Sequence, residues 1–509
     1  MPDNENPSNS SEQAAGKKAQ TGMQLGAHTA TYILGSGIAM LNGVVMLPVY
    51  THALTPRDYG ILETTLRFVS ICMNVAFMGL RQGYLRFYFD RDDSRWHKTL
   101  TSTAILGVPL VALGIMFPIL VVAAHWFASR IGLENIGLWT ALMLSVWLTF
   151  EAVYLLGLSF LQVRFKSKQF ILAQGSRLLM MLCVNLVLLN VFHLGLNGAL
   201  LGNLAVSVAS GGVFAALLLS WSGIKTSGPT LRELVKFGLP YIPTAFFGYV
   251  INNADRLALI HFGLLSVLGL LSLASKLGDM ALSVLASPVE NIWVPFAFSV
   301  KDGVDGAARI GRLFTRYMAF VVLIALTVSL AAPLALGILA SHSYEGAARL
   351  VPIVAAGCVF GNLACLADLG ILVKKRTQLK PVIMAVAAAL AVGLQALLIP
   401  RFGIVGAVIG TAATNVFLYL LVSTVAGRFY RFTVNRAHIF WVAASALMVV
   451  LAGCWIESQF PSLWVSAICT AIGIVAYLAV INWAHIMPFS EIRAHIGNLL
   501  ARVGIGSKD

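Results

Sequence analysis

The sequence predicts an all-α polytopic membrane protein, and three observations lead to this fold class. Of the 509 residues, 58% are hydrophobic and only 11% are charged, whereas soluble proteins average about 25% charged residues. Apolar runs recur along the whole chain, and each reaches the roughly 20 residues that a helix needs to cross a bilayer. The runs are continuously apolar and do not alternate with polar residues, which argues against a transmembrane β-barrel.

Fourteen apolar runs are predicted as transmembrane helices, and the loops between them are short. The runs are 27–50, 59–80, 99–125, 136–160, 169–190, 196–221, 236–260, 262–287, 313–340, 350–372, 381–399, 403–427, 437–457 and 463–486. The loops leave no room for a soluble catalytic domain, and none contains a glycine-rich phosphate-binding motif. The six cysteines lack metal-ligand spacing. We therefore expect no enzyme activity, no catalytic residues, no cofactor and no metal site.

The distribution of positive charge predicts the orientation in the membrane. With both termini cytoplasmic, the inner segments hold most of the 35 Lys and Arg residues, and the outer loops hold only four: Arg57, Arg130, Arg349 and Arg401. This asymmetry follows the positive-inside rule. The formal net charge of +14 is therefore explained by orientation, and nucleic-acid binding is not expected.

Two segments rich in small residues indicate an internal repeat. Four residues of the sixth span recur in the twelfth at a constant offset of 208: Gly195, Gly198, Ala199 and Gly202 match Gly403, Gly406, Ala407 and Gly410. Gly60 and Gly269 are similarly related, at an offset of 209. Two six-helix repeats, 27–221 and 236–427, are predicted, followed by two added helices in 437–486. Six spans per copy give both copies the same orientation, so we expect a pseudo-twofold axis along the membrane normal and a cavity between the copies.

The two ends of the chain are predicted to lie outside the membrane. Residues 1–26 are polar and low in complexity, without the apolar core of a signal peptide, and read as a disordered cytoplasmic tail. Residues 487–509 place their apolar residues on one helical face, which predicts a cytoplasmic amphipathic helix on the inner leaflet. A solvated disordered tail is the alternative.

Charged residues inside the apolar runs are the candidate substrate-binding residues. A charge in the hydrocarbon costs about 3 kcal/mol on insertion scales, so such residues are expected to face other helices or water. Seven are selected as candidates: Arg67, Glu151, Arg177, Asp255, Arg256, Lys276 and Asp279. Their charges sum to +1, which suits an anionic substrate, and Arg is the natural bidentate partner of phosphate.

Structural pairing is the alternative for several of these residues. Lys276 and Asp279 lie three residues apart on one helix face, and Glu151 and Arg177 lie on adjacent spans. The shallowest two charges could instead reach outward to the membrane surface: Asp255 and Arg256. Arg67 has one local carboxylate, Glu63, four residues earlier, and is expected to face the cavity.

Three prolines in apolar runs are candidate hinges. Pro48 lies late in the first span, and Pro240 and Pro243 lie early in the seventh. Inside a helix a proline removes a backbone hydrogen bond and bends the chain. A hinge at the boundary of the repeats would serve a rocking motion, and static curvature is the alternative.

Several stretches together resemble one family of exporters. They are LPVYTHALTPRDYGILE from Leu47, GLRQGYLRFYFDRDDSRW from Gly79, FGLPYIPTAF from Phe237 and NNADRLALIHFGLLSVLGLLSLASKLGD from Asn252. The resemblance is to the polysaccharide-transport branch of the multidrug/oligosaccharidyl-lipid/polysaccharide exporter superfamily, the oligosaccharide flippases typified by O-antigen flippases. The third and fourth stretches form the most specific block of the match.

The resemblance implies transport without covalent chemistry. A polyprenyl-pyrophosphate-linked oligosaccharide would be moved from the inner to the outer leaflet of the bacterial inner membrane by alternating access. The product would serve O-antigen, capsule or exopolysaccharide biosynthesis. The implied partners are membrane lipids, a coupling cation (H⁺ or Na⁺), and the polymerase and chain-length proteins of the same pathway.

Four other functions remain open from the sequence. A flippase of the peptidoglycan lipid precursor has the same helix count and a cationic cavity. A multidrug antiporter of the same superfamily is disfavoured because the span 27–50 contains no Asp or Glu. A membrane polymerase or ligase is disfavoured by the short outer loops, and a scaffold by the charges inside the spans.

Overall fold

The computed structural model describes residues 42–43, 45–88, 90–91, 93–111, 114, 117–118, 120–122, 138–164, 166–238, 242–374, 376, 378–460 and 462–486. Within these ranges the regular structure is helical and contains no β-strand. Both predicted tails, 1–26 and 487–509, lie outside the described residues, as do Pro240 and most of the first predicted span.

The described helices follow the predicted spans closely. They are α1 Pro56–Phe87, α2 Ser94–Val111, α3 Leu138–Val163, α4 Ser167–Leu186, α5 Gly195–Ser222, α6 Gly228–Gly238, α7 Ile242–His261, α8 Leu268–Val300, α9 Gly306–Leu339, α10 Val351–Ala367, α11 Leu379–Gly427, α12 Arg436–Gln459 and α13 Leu463–Trp483. A π-helical turn, Val187–Val191, extends α4, and a short helix, Leu369–Val373, follows α10. Residues 45–53 are also helical.

Eight helical stretches in the described part of the chain are long and apolar enough to cross a membrane. They are Ala141–Val163, Ser167–Val191, Gly195–Ser222, Gly306–Leu339, His342–Val373, Leu379–Gly427, Arg436–Gln459 and Leu463–Trp483. Helices α1, α7 and α8 also coincide with predicted spans, but charged side chains interrupt them. The all-helical, multi-pass class is therefore confirmed, and the total of fourteen spans stays a prediction.

By its internal contacts the chain divides into two units. The first comprises Met1–Val49, Phe68–Ser129 and Leu133–Ile242, and the second comprises Tyr50–Arg67, Arg130–Gly132 and Pro243–Asp509. Residues 56–67 of α1 therefore belong to the second unit and residues 68–87 to the first. The predicted repeats, 27–221 and 236–427, stay a prediction.

In the first unit, α3 and α5 pack backbone against backbone. A Cβ placed on Gly211 of α5 would overlap the carbonyl of Phe150 on α3, and one placed on Gly157 would overlap the Phe214 ring. Only glycine fits such contacts without a shift of the helices. The small residues of the sixth span therefore set the distance between these two helices.

The second unit contains a large apolar core built on α8, α9, α10 and α13. Its largest members are at most 2% exposed: Trp293, Phe314, Tyr317, Val321 and Tyr477. Their polar atoms have partners, since Trp293 Nε1 donates to the Leu366 carbonyl at 3.1 Å and the Tyr477 hydroxyl to the Ala319 carbonyl at 2.9 Å. Burial of aromatic rings with satisfied polar atoms stabilises this unit strongly.

The two small-residue motifs have the same local geometry. Gly195 and Gly403 both adopt a positive φ, +54° and +57°, which strongly favours glycine. Gly403 thereby separates the two predicted spans, 381–399 and 403–427, that are joined in α11. Seven residues later each motif places a glycine against a buried amide side chain: Gly202 against Asn185, and Gly410 against Gln395. The pair of six-helix repeats remains a prediction.

Gly60 and Gly269, the second pair of predicted equivalents, lie against each other in the second unit. A Cβ on Gly60 would come 2.7 Å from the Gly269 amide nitrogen, and one on Gly269 would overlap the carbonyl of Pro56. The backbones of α1 and α8 therefore approach closely here, beside the Cβ of Leu268.

The prolines predicted as hinges lie in different parts of the described structure. Pro243 lies in α7, next to its first described residue, Ile242. Residues 239–241 lie outside the described part of the chain, and the hinge at Pro243 stays a prediction. Pro48 lies within the helical residues 45–53, and its role as a hinge stays a prediction.

Candidate functional site

Five of the seven predicted site residues lie together in the second unit. They are contributed by α1, α7 and α8: Arg67, Asp255, Arg256, Lys276 and Asp279. The other two, Glu151 and Arg177, lie on α3 and α4 of the first unit. The predicted set thus falls into two separate groups of charges.

Lys276 pairs with a carboxylate that is not among the predicted site residues. Its Nζ lies 2.6 Å from Glu63 Oε1 on α1, and the Glu63 side chain is only 8% exposed. The predicted alternative, a pair between Lys276 and Asp279, is not formed. The sequence signal for Glu63 is its place in a predicted span, four residues before Arg67, on the same helix face.

Arg67 and Asp279 form a second, looser bridge between the same two helices. Arg67 Nη2 lies 3.7 Å from Asp279 Oδ2, and the Asp279 side chain is half exposed. The thiol of Cys358 on α10 also donates to Asp279 Oδ1, at 3.0 Å. Among the described residues the buried Arg67 Nε has no hydrogen-bond acceptor. Of the two bridges, this one is the easier to open.

Asp255 and Arg256 are buried and pair with each other, so the outward reach considered as an alternative for them is not what the structure shows. Each residue is 2% exposed. Asp255 Oδ1 accepts from the backbone N–H of Arg256 at 2.8 Å and lies 3.3 Å from its Nη1. Thr411 on α11 donates to Asp255 Oδ2 at 3.3 Å. The packing of α11 against this part of α7 explains the burial, and no local pattern in α7 shows it.

Arg256 keeps unused hydrogen-bonding capacity. Its Nη1 lies near Asp255 and 3.4 Å from the carbonyl of Asn252. Its Nε and Nη2 are buried without an acceptor in the described part of the chain. A guanidinium carries five N–H donors, and buried donors without acceptors are costly. Arg256 therefore has hydrogen-bond donors that no described residue accepts.

A small cavity of about 40 Å³ adjoins these side chains. Its polar wall is formed by residues from α7, α8, α10 and α11: Asn252, Asp255, Arg256, Asp279, Cys358, Thr411 and Asn415. With Glu63 included, this second-unit cluster has three positive and three negative side chains. It is therefore balanced in charge, although the seven predicted residues alone sum to +1.

The first-unit group is a hydrogen-bonded ion pair. Arg177 Nη2 bonds to Glu151 Oε2, which also accepts from the Ser207 hydroxyl at 2.7 Å. The Arg177 guanidinium lies 4.1 Å from the centre of the Tyr154 ring. Both charged side chains are about one-fifth exposed. The structural pairing considered for Glu151 and Arg177 is thus present.

In the described part of the chain, no group of three His, Cys, Asp or Glu side chains is arranged to hold a metal ion. What the second-unit site offers is a set of fixed charges and hydrogen-bond donors around a cavity. Such a set can bind and release a charged group.

A family model described as "Polysaccharide biosynthesis protein" matches residues 51–349, more than half of the chain. The protein belongs to this family. The match includes all seven predicted site residues, and it confirms the resemblance seen in the sequence. No curated protein matches this member of the polysaccharide biosynthesis family.

The fold of this polysaccharide biosynthesis protein resembles several solved membrane proteins. The lipid II flippase MurJ, in an inward closed conformation, aligns with a TM-score of 0.69 at 12% identity, over 90% of this chain and 98% of that chain. The Vibrio cholerae MATE transporter VcmN aligns with a TM-score of 0.54 at 13% identity, over 81% and 97%. An inward-facing multidrug resistance MATE family transporter of the MOP superfamily gives 0.53 at 13%, over 76% and 94%. At these identities the likeness establishes the fold alone.

Proposed function

We propose that the protein is a flippase for a polyprenyl-pyrophosphate-linked oligosaccharide. It moves this lipid from the inner to the outer leaflet of the bacterial inner membrane, with both termini cytoplasmic, for surface polysaccharide biosynthesis. Two facts support the class: the family is one of polysaccharide biosynthesis, and the fold extends over nearly the whole of a lipid II flippase. Alternating access, a coupling cation (H⁺ or Na⁺) and pathway partners belong to the same proposal.

The single observation that carries the proposal is the buried guanidinium of Arg256. Phosphate oxygens accept in parallel from a guanidinium fork, and Arg256 has two nitrogens without acceptors beside a cavity. Asp255 orients the group from one side. The cavity is small, so it can take only a small polar part of the substrate, such as phosphate oxygens, and not a whole oligosaccharide.

Arg67 provides a second contact to the phosphate by leaving its ion pair with Asp279. Its bridge to Asp279 is long and half exposed, and ion pairs of this kind contribute only about 0–1 kcal/mol. Replacing Asp279 with a phosphate as the partner of Arg67 therefore costs little free energy. The released carboxylate of Asp279 is then the natural place for a coupling cation, which would keep the cluster neutral.

A proteoliposome assay tests the function. The purified protein is reconstituted with a labelled polyprenyl-pyrophosphate oligosaccharide, and a membrane-impermeant glycosidase reports the fraction of lipid that reaches the outer leaflet. We expect protein-dependent flipping that Arg256→Ala and Arg256→Lys reduce by roughly tenfold or more, since a lost charged hydrogen bond is worth about 1.5–3 kcal/mol. Arg428→Ala removes an exposed arginine and is the matched control. Flipping at the wild-type rate in both Arg256 variants would exclude Arg256 from the site.

A flippase of the peptidoglycan lipid precursor is the second candidate. The observation that favours it is the higher TM-score to MurJ, 0.69, than to the MATE transporters, 0.53–0.54. The same vesicles loaded with a lipid II-type substrate separate the two candidates. Transport of lipid II at the greater rate would replace the first proposal, and transport of a cationic dye alone would indicate multidrug antiport.

A further inference from the structure

A groove runs along the first unit between α4 and α5, and its lining includes Arg177, whose charge is paired with Glu151. Its volume is about 690 Å³. Buried side chains of α3 and α5 form its floor: Tyr154, Phe160, Phe214 and Leu218. Exposed apolar side chains form its rims, with Leu172 70%, Val213 59% and Leu217 58% exposed. The surface is therefore concave and apolar, unlike the convex face of a single helix.

The groove has the length of one membrane leaflet. On α4 the lining residues Gln169, Ala173, Ser176 and Met180 are spaced by three or four positions, so they share one helix face. From Lys166 to Met180 the helix rises roughly 21 Å, at about 1.5 Å per residue. Half of the hydrocarbon core of a bilayer is about 15 Å. The groove thus extends through one leaflet and into its headgroup layer.

One end of the groove is basic. Arg164 and Lys166 line it and are exposed. The Arg164 guanidinium lies 4.9 Å from the Trp221 ring centre and 5.2 Å from that of Phe160, which holds the charge over the groove. Among the described residues that line the groove, none is a carboxylate. Both cations belong to the loop between the fourth and fifth predicted spans, which the charge distribution places on the cytoplasmic side.

We propose that this groove binds an anionic phospholipid of the inner leaflet. Its phosphate lies at Arg164 and Lys166, and one acyl chain lies along the apolar walls towards Met180. Charge complementarity selects this occupant, because basic pockets at the cytoplasmic surface attract acidic headgroups. A zwitterionic lipid leaves the two cations without a net negative partner, a soluble anion leaves the apolar walls uncovered, and a polyprenyl carrier is far longer than the groove.

If a phospholipid occupies the groove, the stability of the first unit should depend on the lipid composition of the membrane. Helix α4 exposes much of its surface, including Leu172 and Leu179. An acyl chain in the groove contacts α4 and α5 together, so it acts as a packing element between them. The full protein is therefore expected to unfold at a higher temperature in bilayers that contain phosphatidylglycerol than in phosphatidylcholine alone.

Trp221 makes the site measurable, since it lines the groove. The full-length protein is reconstituted in phosphatidylcholine nanodiscs with phosphatidylglycerol or phosphatidylcholine whose acyl chains are brominated, and bromine quenches nearby tryptophan fluorescence. The difference from Trp221→Phe isolates the Trp221 signal. We expect brominated phosphatidylglycerol to associate more tightly than brominated phosphatidylcholine, by about fivefold for each of the two basic residues.

Two variants and one matched control decide the proposal. Arg164→Gln with Lys166→Gln should remove the preference for phosphatidylglycerol, and Val213→Phe should weaken association of both lipids by filling the groove. Lys225→Gln with Arg232→Gln removes the same charge from exposed positions of the first unit outside the groove and should change nothing. Equal quenching by both lipids in the wild type, or an unchanged preference in the Arg164 and Lys166 variant, overturns the proposal. Displacement of the brominated lipid by a polyprenyl phosphate, or by inorganic phosphate, also overturns it, since the groove would then belong to the carrier or to a soluble anion.

Discussion

Lys276 Nζ on α8 lies 2.6 Å from Glu63 Oε1 on α1, within the second unit. Four residues after Glu63, Arg67 faces Asp279, three residues after Lys276. The two bridges therefore connect the same pair of helices, with the sign of the charges reversed between them. The bridge between Lys276 and Glu63 is short and buried, which suits it to hold α1 against α8. The bridge between Arg67 and Asp279 is long and half exposed, which suits it to exchange partners.

The buried bridge is expected to stabilise the protein only while both partners are present. Glu63→Gln or Lys276→Met alone should lower the free energy of unfolding by about 3 kcal/mol, because each leaves a buried charge without its partner. The double variant should lose less than the sum of the two. Denaturant titration of the solubilised protein measures all three.

The control for this prediction is Lys301→Met. Lys301 pairs with Asp302, whose side chain is 84% exposed, and exposed pairs contribute about 0–1 kcal/mol. Equal losses for Lys276→Met and Lys301→Met would mean that the Glu63 bridge is not a stabilising contact.

The open bridge is expected to matter for transport more than for stability. Arg67→Ala should abolish export of the surface polysaccharide while protein levels stay near those of the wild type, because the pair with Asp279 is long and half exposed. Complementation of a strain that lacks the gene, with a blot for protein level, measures both. Export at the wild-type rate would remove Arg67 from the site.

The contact of Gly211 with the Phe150 carbonyl predicts a steric effect. Gly211→Ala should destabilise the first unit by about 1–3 kcal/mol, since a Cβ there would overlap the carbonyl and force α3 and α5 apart. Gly175→Ala on α4 is the control: no atom lies within 4 Å of its Cβ position, so alanine should gain about 0.5–1 kcal/mol of helix stability. Thermal unfolding that ranks the two variants in the opposite order would contradict the packing described.

The orientation is tested with two single cysteines. Ser343 lies in the short helix His342–Leu350, Thr226 lies before α6, and both are exposed. An impermeant maleimide should label Ser343→Cys in intact cells, and Thr226→Cys only after permeabilisation, above the background of the native cysteines. The reverse pattern would invert the predicted topology.

Helix positions were predictable from the sequence, because the signals for them are local. The predicted span 463–486 is observed as Leu463–Trp483, and the predicted break before 403 is observed at Gly403. Apolar length and a glycine with positive φ are properties of short segments, which need no knowledge of the packing. The pair between Glu151 and Arg177 could also be predicted from the sequence, since adjacent spans bring the two charges together.

The second-unit pairs were not predictable, because they depend on which helix faces pack together. Lys276 has a local candidate, Asp279, yet it pairs with Glu63, 213 residues away. Asp255 looked shallow enough to reach the surface, but Thr411 of α11 covers it. Neither contact can be predicted from the residues next to these charged side chains in the sequence.

At Gly60 and Gly269 the backbones of α1 and α8 come so close that neither position has room for a larger residue. Gly60→Ala or Gly269→Ala is therefore expected to push α1 away from α8 and to lengthen the bridge between Arg67 and Asp279, which joins the same two helices.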